Sequence, residues 1–95
     1  MMINPEAATE LEAMLSDLLM ASSKSLGEGQ RAIVDEYLHH REYQLALEIV
    51  ASSYAANGEI ATNDVLDMIE RLAGRMKLDP SPILAWAKNE RRPFE

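Results

Sequence analysis

Apolar residues recur every three or four positions along most of this chain, which is the spacing that amphipathic helices produce. Alternating runs of apolar and polar residues, which would predict β-strands, are nearly absent. The predicted helices run from Pro5 to the serine-rich break at 22–25, from about Glu28 to His39, from about Glu42 to Ala56, from Thr62 through Met76, and from Asp79 through Ala87 to a stop at residues 91–93. The pattern therefore predicts an all-α fold, a compact bundle of about five helices that forms one domain over residues 1–95.

The third predicted helix is apolar on almost every side. On a helical wheel Tyr43 and Leu47 share one side, whereas Leu45 and Ile49 lie on the opposite side. The polar stripe of this helix consists of Gln44, Glu48 and Ser52. A helix of this kind is packed on more than one side, so we expect it to be the central element and its apolar residues to be buried.

The first two predicted helices have distinct inward and outward sides. On the second helix, the residues predicted to face the core are Ile33, Val34, Tyr37 and Leu38. Its outward residues include Asp35, Glu36 and His39. On the first helix, an acidic flank away from the leucine stripe carries Glu6, Glu10 and Asp17.

The chain as a whole contains more acidic than basic residues. Sixteen Asp and Glu against nine Lys and Arg give a net charge of −7 at pH 7. This charge opposes binding to nucleic acid, whose phosphates attract surfaces rich in Lys and Arg. It suits a basic protein partner, because opposite charges steer association, although it also serves solubility alone.

No residue pattern predicts catalysis, a cofactor or a metal site. The chain has no cysteine, which excludes disulfides and thiolate ligands and fits a reducing compartment. His39 and His40 are adjacent and diverge by about 100° on a helix, which makes joint ligation of one metal difficult. Motifs for an activated nucleophile or a phosphate-binding loop are absent from the sequence. We therefore expect a protein that is not an enzyme and has no catalytic, cofactor-binding or metal-binding residues.

The hydropathy of the chain argues against a membrane protein. No apolar run approaches the roughly 18 residues that a membrane span requires, and no secretory leader pattern is present. We expect a cytoplasmic protein with no membrane partner.

Residues 72–78, followed by Trp86, resemble the helix-turn-helix of repressor-type DNA-binding domains. The basic pair at 91–92 would be available for phosphate contacts. Pro82, however, occupies a position where a recognition helix normally offers polar side chains to base edges, and the acidic helices would repel DNA. DNA binding is therefore an alternative, and nucleic acid is not the expected partner.

The segment from Glu36 to Glu48 reads EYLHHREYQLALE. It resembles the signature of small MafI-type immunity proteins, which protect bacteria from the toxin domains of contact-dependent growth inhibition and related systems. The resemblance is densest over residues 35–48 and extends weakly into the fourth helix, residues 76–79 and Trp86. The family pattern has His-Gly-Glu-Tyr at the break between two helices, where this chain has Arg41 in place of glycine.

This resemblance implies a protein that binds one cognate toxin domain in a one-to-one complex and neutralises it. Such toxins are often nucleases with basic active-site clefts, and a ribonuclease is the class we expect. An acidic helical surface would occupy such a cleft and pair with its cations. The candidate toxin-binding residues are Asp35, Glu36 and His39 on the second helix, and Glu6, Glu10 and Asp17 on the first. A helical adaptor or chaperone is a further alternative, which predicts several partners and an exposed apolar patch.

Overall fold

Five α-helices make up the described part of the protein. The computed structural model describes residues 5–89, with side chains from residue 8 onward. The helices are α1 (Pro5–Ala21), α2 (Glu28–His39), α3 (Tyr43–Ala56), α4 (Asn63–Arg75) and α5 (Pro80–Ala87). Residues 5–89 contain no strand. The all-α bundle expected from the sequence is confirmed, and its helices begin and end close to the predicted positions.

The central position predicted for α3 is also confirmed. This helix contacts α1, α2, α4 and α5. Its buried side chains are Tyr43, Ala46, Leu47, Val50, Ala51, Ser53 and Tyr54. The buried hydroxyl of Ser53 donates a hydrogen bond of 2.6 Å to the carbonyl of Val50, so this polar group has a partner inside the core.

α1 and α4 pack against each other and against α3. The large buried side chains at this contact are Leu11, Leu15, Leu18, Leu19, Val65, Ile69 and Leu72. Each such burial contributes about 1.5–3 kcal/mol relative to an exposed side chain. An ion pair of 2.5 Å between Arg75 Nη1 and Glu10 Oε1 joins the two helices at their exposed edge. Because this pair is exposed to solvent, it contributes much less to stability than the buried side chains do.

Capping side chains start α4 and α5. Thr62 Oγ1 accepts a hydrogen bond of 3.3 Å from the N–H of Val65. Asp79 Oδ1 accepts one of 3.0 Å from the N–H of Ser81, and Pro80 occupies the first helical position. Both starts agree with the sequence, because these residue types satisfy or remove the free N–H groups of a first turn.

Polar contacts fasten the segment after α1 to the end of α3. Tyr54 Oη donates a hydrogen bond of 2.8 Å to Ser22 Oγ, and Ser25 Oγ donates one of 2.7 Å to Glu59 Oε1. The side-chain amide of Asn57 donates to the carbonyl of Ser25. These bonds close one end of the bundle, opposite the end at which α2 turns into α3.

α2, α3 and α4 end in turns that require a left-handed backbone conformation. The φ angle is 58° at Arg41, 68° at Gly58 and 58° at Lys77. After α2, the N–H of Arg41 bonds the carbonyl of Leu38 at 3.1 Å, and the next N–H bonds the carbonyl of Tyr37 at 2.8 Å. Glycine adopts this conformation without steric cost, whereas arginine and lysine do not. The glycine of the immunity-protein pattern therefore corresponds to the one strained position of the α2–α3 corner.

Replacing Arg41 with glycine is expected to stabilise the protein. The substitution removes the steric cost of a Cβ at a φ of 58°, and the greater freedom of glycine in the unfolded chain offsets part of that gain. We expect the free energy of unfolding in urea to rise by about 0.5–1 kcal/mol. The opposite variant, Gly58→Ala, should lower it by about 1 kcal/mol, since it introduces the same strain where no neighbouring atom would clash. A less stable Arg41→Gly protein would contradict this account of the corner.

Candidate functional site

α2 is a peripheral helix that leaves most of its surface open to solvent. It packs against α3, and Val34 is its one fully buried residue, whereas Tyr37 and Leu38 are half-buried. Asp35, Glu36 and His39 are exposed, on the side of the helix that the wheel predicts. The candidate residues of α2 are therefore accessible to a partner.

The prediction that every apolar residue of this region is buried is wrong for two residues. Ile33 on α2 is 45% exposed, and Leu45 on α3 is 39% exposed. A helical wheel shows which residues share a side, but it does not show how much of that side a neighbour covers. Because α2 rests mainly on one helix, its contact stripe is narrow and the residues at the margins of the stripe stay open.

An open groove lies along these margins at the α2–α3 corner. Its volume is about 690 Å³, and we call it the corner groove. Its lining residues are Ile33, Glu36, Tyr37, His40, Glu42 and Leu45. It thus combines three apolar or aromatic side chains with two carboxylates and an imidazole. The sequence pattern did not predict that Ile33, Glu42 and Leu45 lie at the surface. For Leu45, the one sign in the sequence is that α3 carries apolar residues on nearly all sides.

A second, smaller groove of about 330 Å³ lies on the other side of α2, and Asp35 lines it together with Arg31. The Asp35 carboxylate is 3.6 Å from Arg31 Nε in an exposed ion pair. Asp35 and Glu36 are consecutive, so they lead to different sides of the same helix. The two carboxylates therefore flank an exposed ridge and do not form one compact acidic cluster.

Histidines stand at the end of α2, next to the corner groove. His40 Nε2 is 4.0 Å from Glu36 Oε1, and the rings of His39 and His40 meet edge to face with centroids 5.3 Å apart. The side chains of Glu36 and His40 are 75% and 63% exposed. Contacts between such exposed groups contribute little to stability and are exchanged easily for contacts with a partner.

The acidic flank predicted on α1 belongs to a different face of the molecule. Glu10 is paired with Arg75 of α4, so its charge is partly engaged within the bundle. Asp17 is exposed. The side chain of Glu6 lies outside the described residues. α1 packs mainly on α3 and α4, whereas α2 packs on α3, so Glu10 and Asp17 do not form one patch with the candidate residues of α2.

Residues 8–89 contain no group of three or more His, Asp or Glu residues arranged to hold a metal ion. Over the same part of the protein, no helix is both long enough and apolar enough to cross a membrane.

Comparison with protein-family models, with curated proteins and with solved structures gave no match to this chain.

The α2–α3 corner is anchored to α1 by Tyr43, the first residue of α3. The buried Tyr43 donates a hydrogen bond of 2.6 Å from Oη to Glu12 Oε2. Burial is the main cause that raises the pKa of Tyr43 to about 12, followed by the hydrogen bond and the negative charge of Glu12, while Arg41 acts in the opposite direction. This contact fixes where α3 begins, and so it fixes the position of the corner groove.

Tyr43→Phe is expected to destabilise the protein by about 1–2 kcal/mol, because a hydrogen bond to a charged group is lost. The raised pKa predicts a further effect. The native protein keeps the Tyr43 proton longer than the unfolded chain does, so the stabilisation is fully present below pH 10 and is lost as the pH rises through about 12. Urea denaturation at increasing pH should therefore show a loss of stability over this window in the native chain and a smaller loss in Tyr43→Phe. Equal pH dependence in the two proteins would contradict the raised pKa of Tyr43.

Proposed function

We propose that this protein is an immunity-type inhibitor that binds a basic bacterial toxin domain through the exposed side of α2 and covers the active-site cleft of the toxin. The observation that carries the proposal is the exposure of Asp35, Glu36 and His39 beside an open groove, in a protein of net charge −7. The resemblance of residues 35–48 to MafI-type immunity proteins supports the same function. A nuclease, with ribonuclease favoured, is the proposed class of toxin.

Electrostatics explains how such a surface would inhibit a nuclease. A cleft that binds phosphates presents Arg, Lys or His side chains, and carboxylates form strong charge-assisted hydrogen bonds with these groups. The negative charge of the whole protein also accelerates the encounter with a basic partner. An inhibitor of this kind needs no catalytic group, since it acts by excluding the substrate.

The α2 carboxylates would give up little stability on binding. Asp35 and Arg31 form an ion pair whose side chains are 61% and 49% exposed, and such pairs contribute about 0–1 kcal/mol. A toxin cation can replace Arg31 at Asp35 at low cost. Glu10 and Arg75 form a similarly exposed pair, so the preference for α2 rests on the open groove that lies beside its carboxylates.

A helical adaptor is the second candidate function, and the exposure of Ile33 and Leu45 favours it. An adaptor would bind several proteins through an apolar patch, whereas an immunity protein has one cognate toxin. Testing this protein against a panel of unrelated toxin domains separates the two functions. Tight binding to one domain supports the immunity function, and similar binding to many supports the adaptor.

Charge reversal on α2 is expected to weaken toxin binding. The partner to use is the toxin domain encoded beside this gene, and its activity and affinity are measured with increasing salt. The double variant Asp35→Lys with Glu36→Lys should lower the affinity about tenfold or more, because it replaces two attractions by two repulsions. The affinity of the native protein should also fall as the salt concentration rises.

The matched control carries the same charge change on another helix. Asp67 and Glu70 are exposed on α4, where Asp67 pairs with Arg71 at 2.9 Å. Asp67→Lys with Glu70→Lys should leave the affinity within about twofold of the native value at moderate salt, since only the local surface differs. If both double variants bind equally well, α2 is not the contact face. If no toxin domain is encoded nearby and none is inhibited, the immunity function is wrong.

A further inference from the structure

The corner groove has an apolar floor that charge pairing alone does not use. Ile33 is 45% exposed and Leu45 is 39% exposed, and the half-buried ring of Tyr37 lies in the same groove. Covering such surface is favourable by about 25 cal/mol per Å² of apolar area. Contact between these three side chains and an apolar group of a partner would therefore be favourable.

The charge of the groove rim favours binding partners of one sign of charge. Its ionisable side chains are Glu36, Glu42 and His40, and none of its six lining residues is a lysine or an arginine. The nearby Arg41 is close enough to the phenol of Tyr43 to lower its pKa, and Arg41 does not line the groove. The rim is therefore acidic, and an anionic or purely apolar occupant would leave its carboxylates without partners.

A second copy of this chain is a poor match for the groove. A symmetric contact would bring the same surface of each copy together, so that the acidic rim of one groove, with Glu36 and Glu42, would meet the acidic rim of the other. Like charges held close together oppose association. The groove is also open to solvent, whereas small-molecule sites enclose most of their ligand. The occupant that matches both floor and rim is a segment of a basic protein.

We propose that the corner groove receives a basic segment of the toxin domain in which a large apolar side chain is flanked by arginine or lysine. The apolar side chain packs on Ile33, Tyr37 and Leu45, and the flanking cations pair with Glu36 and Glu42. The aliphatic stem of an arginine or lysine adds contact with the floor while its charged end reaches the rim. This inference rests on the proposed function, and it adds Glu42 and the apolar floor to the contact surface.

Short peptides test the chemistry of the groove without any toxin. The probe is a capped hexapeptide of alternating arginine and leucine, titrated into the full chain while the NMR signals of the isoleucine and leucine methyl groups are followed. Binding should shift the signals of Ile33 and Leu45. A hexapeptide with glutamate in place of arginine should not bind, and one with serine in place of leucine should bind several-fold more weakly.

Variants of the floor and of the rim should each weaken the peptide. Leu45→Ser is expected to lower the affinity about threefold or more, and Ile33→Ser should do the same from the neighbouring helix. Glu36→Gln with Glu42→Gln should lower it by a similar factor and reduce its dependence on salt. Circular dichroism checks that each variant is folded. The matched control is Ile60→Ser, which removes a residue that is 71% exposed outside the groove and should change nothing.

The outcomes separate the groove from the proposed function. Equal binding to the native chain, to the floor variants and to the rim variants overturns the inference, and so does an equal loss in Ile60→Ser. If the toxin domain is bound and the α2 charge reversal weakens it, while Leu45→Ser and Glu42→Gln do not, the proposed function stands and the groove inference is wrong. If the peptides behave as expected and no toxin is inhibited, the groove inference stands and the proposed function fails.

Discussion

The burial of one broad side of α3, which carries Tyr43, Leu47 and Val50, is the constraint on which the rest of the structure depends. Seven residues of this helix are buried, and four other helices contact it. An apolar helix of this length cannot remain in water, so the remaining helices are arranged as its cover. α4 contacts both α1 and α5, and all three of these helices contact α3, whereas α2 depends mainly on α3. The cover is therefore thickest on one side and thinnest at α2.

The thin cover at α2 leaves this region accessible to a partner. A peripheral helix with a single fully buried residue keeps its outward carboxylates exposed, in ion pairs that contribute little stability. The same arrangement leaves part of Ile33 and Leu45 in water, at the margin of the contact between α2 and α3. The fold thus supplies both an acidic surface and a small apolar surface at one corner, and the contact between Tyr43 and Glu12 fixes that corner to α1. The sharp turn between the two helices holds Arg41 in a left-handed backbone conformation, which is unfavourable for a residue other than glycine.

Local sequence signals predicted most of the fold but only part of the candidate site. Periodicity and capping residues such as Thr62 and Asp79 act over a few positions, so the helices and the central place of α3 could be read from the chain. The pair Glu10–Arg75 spans helices far apart in sequence, and no local pattern predicts it. The exposure of Ile33 depends on how much of α2 its neighbours cover. That quantity is set by tertiary packing, which a helical wheel does not contain.

The central claim is that the α2–α3 corner is the surface that meets a basic partner. Amide hydrogen exchange of this protein, free and in complex with the basic toxin domain that we propose as its partner, tests the claim most directly. Our account predicts that exchange slows on binding over residues 31–45, which form α2 and the start of α3, and stays unchanged over α4 (Asn63–Arg75). Protection over α4 or α5 with no change in α2 would contradict it.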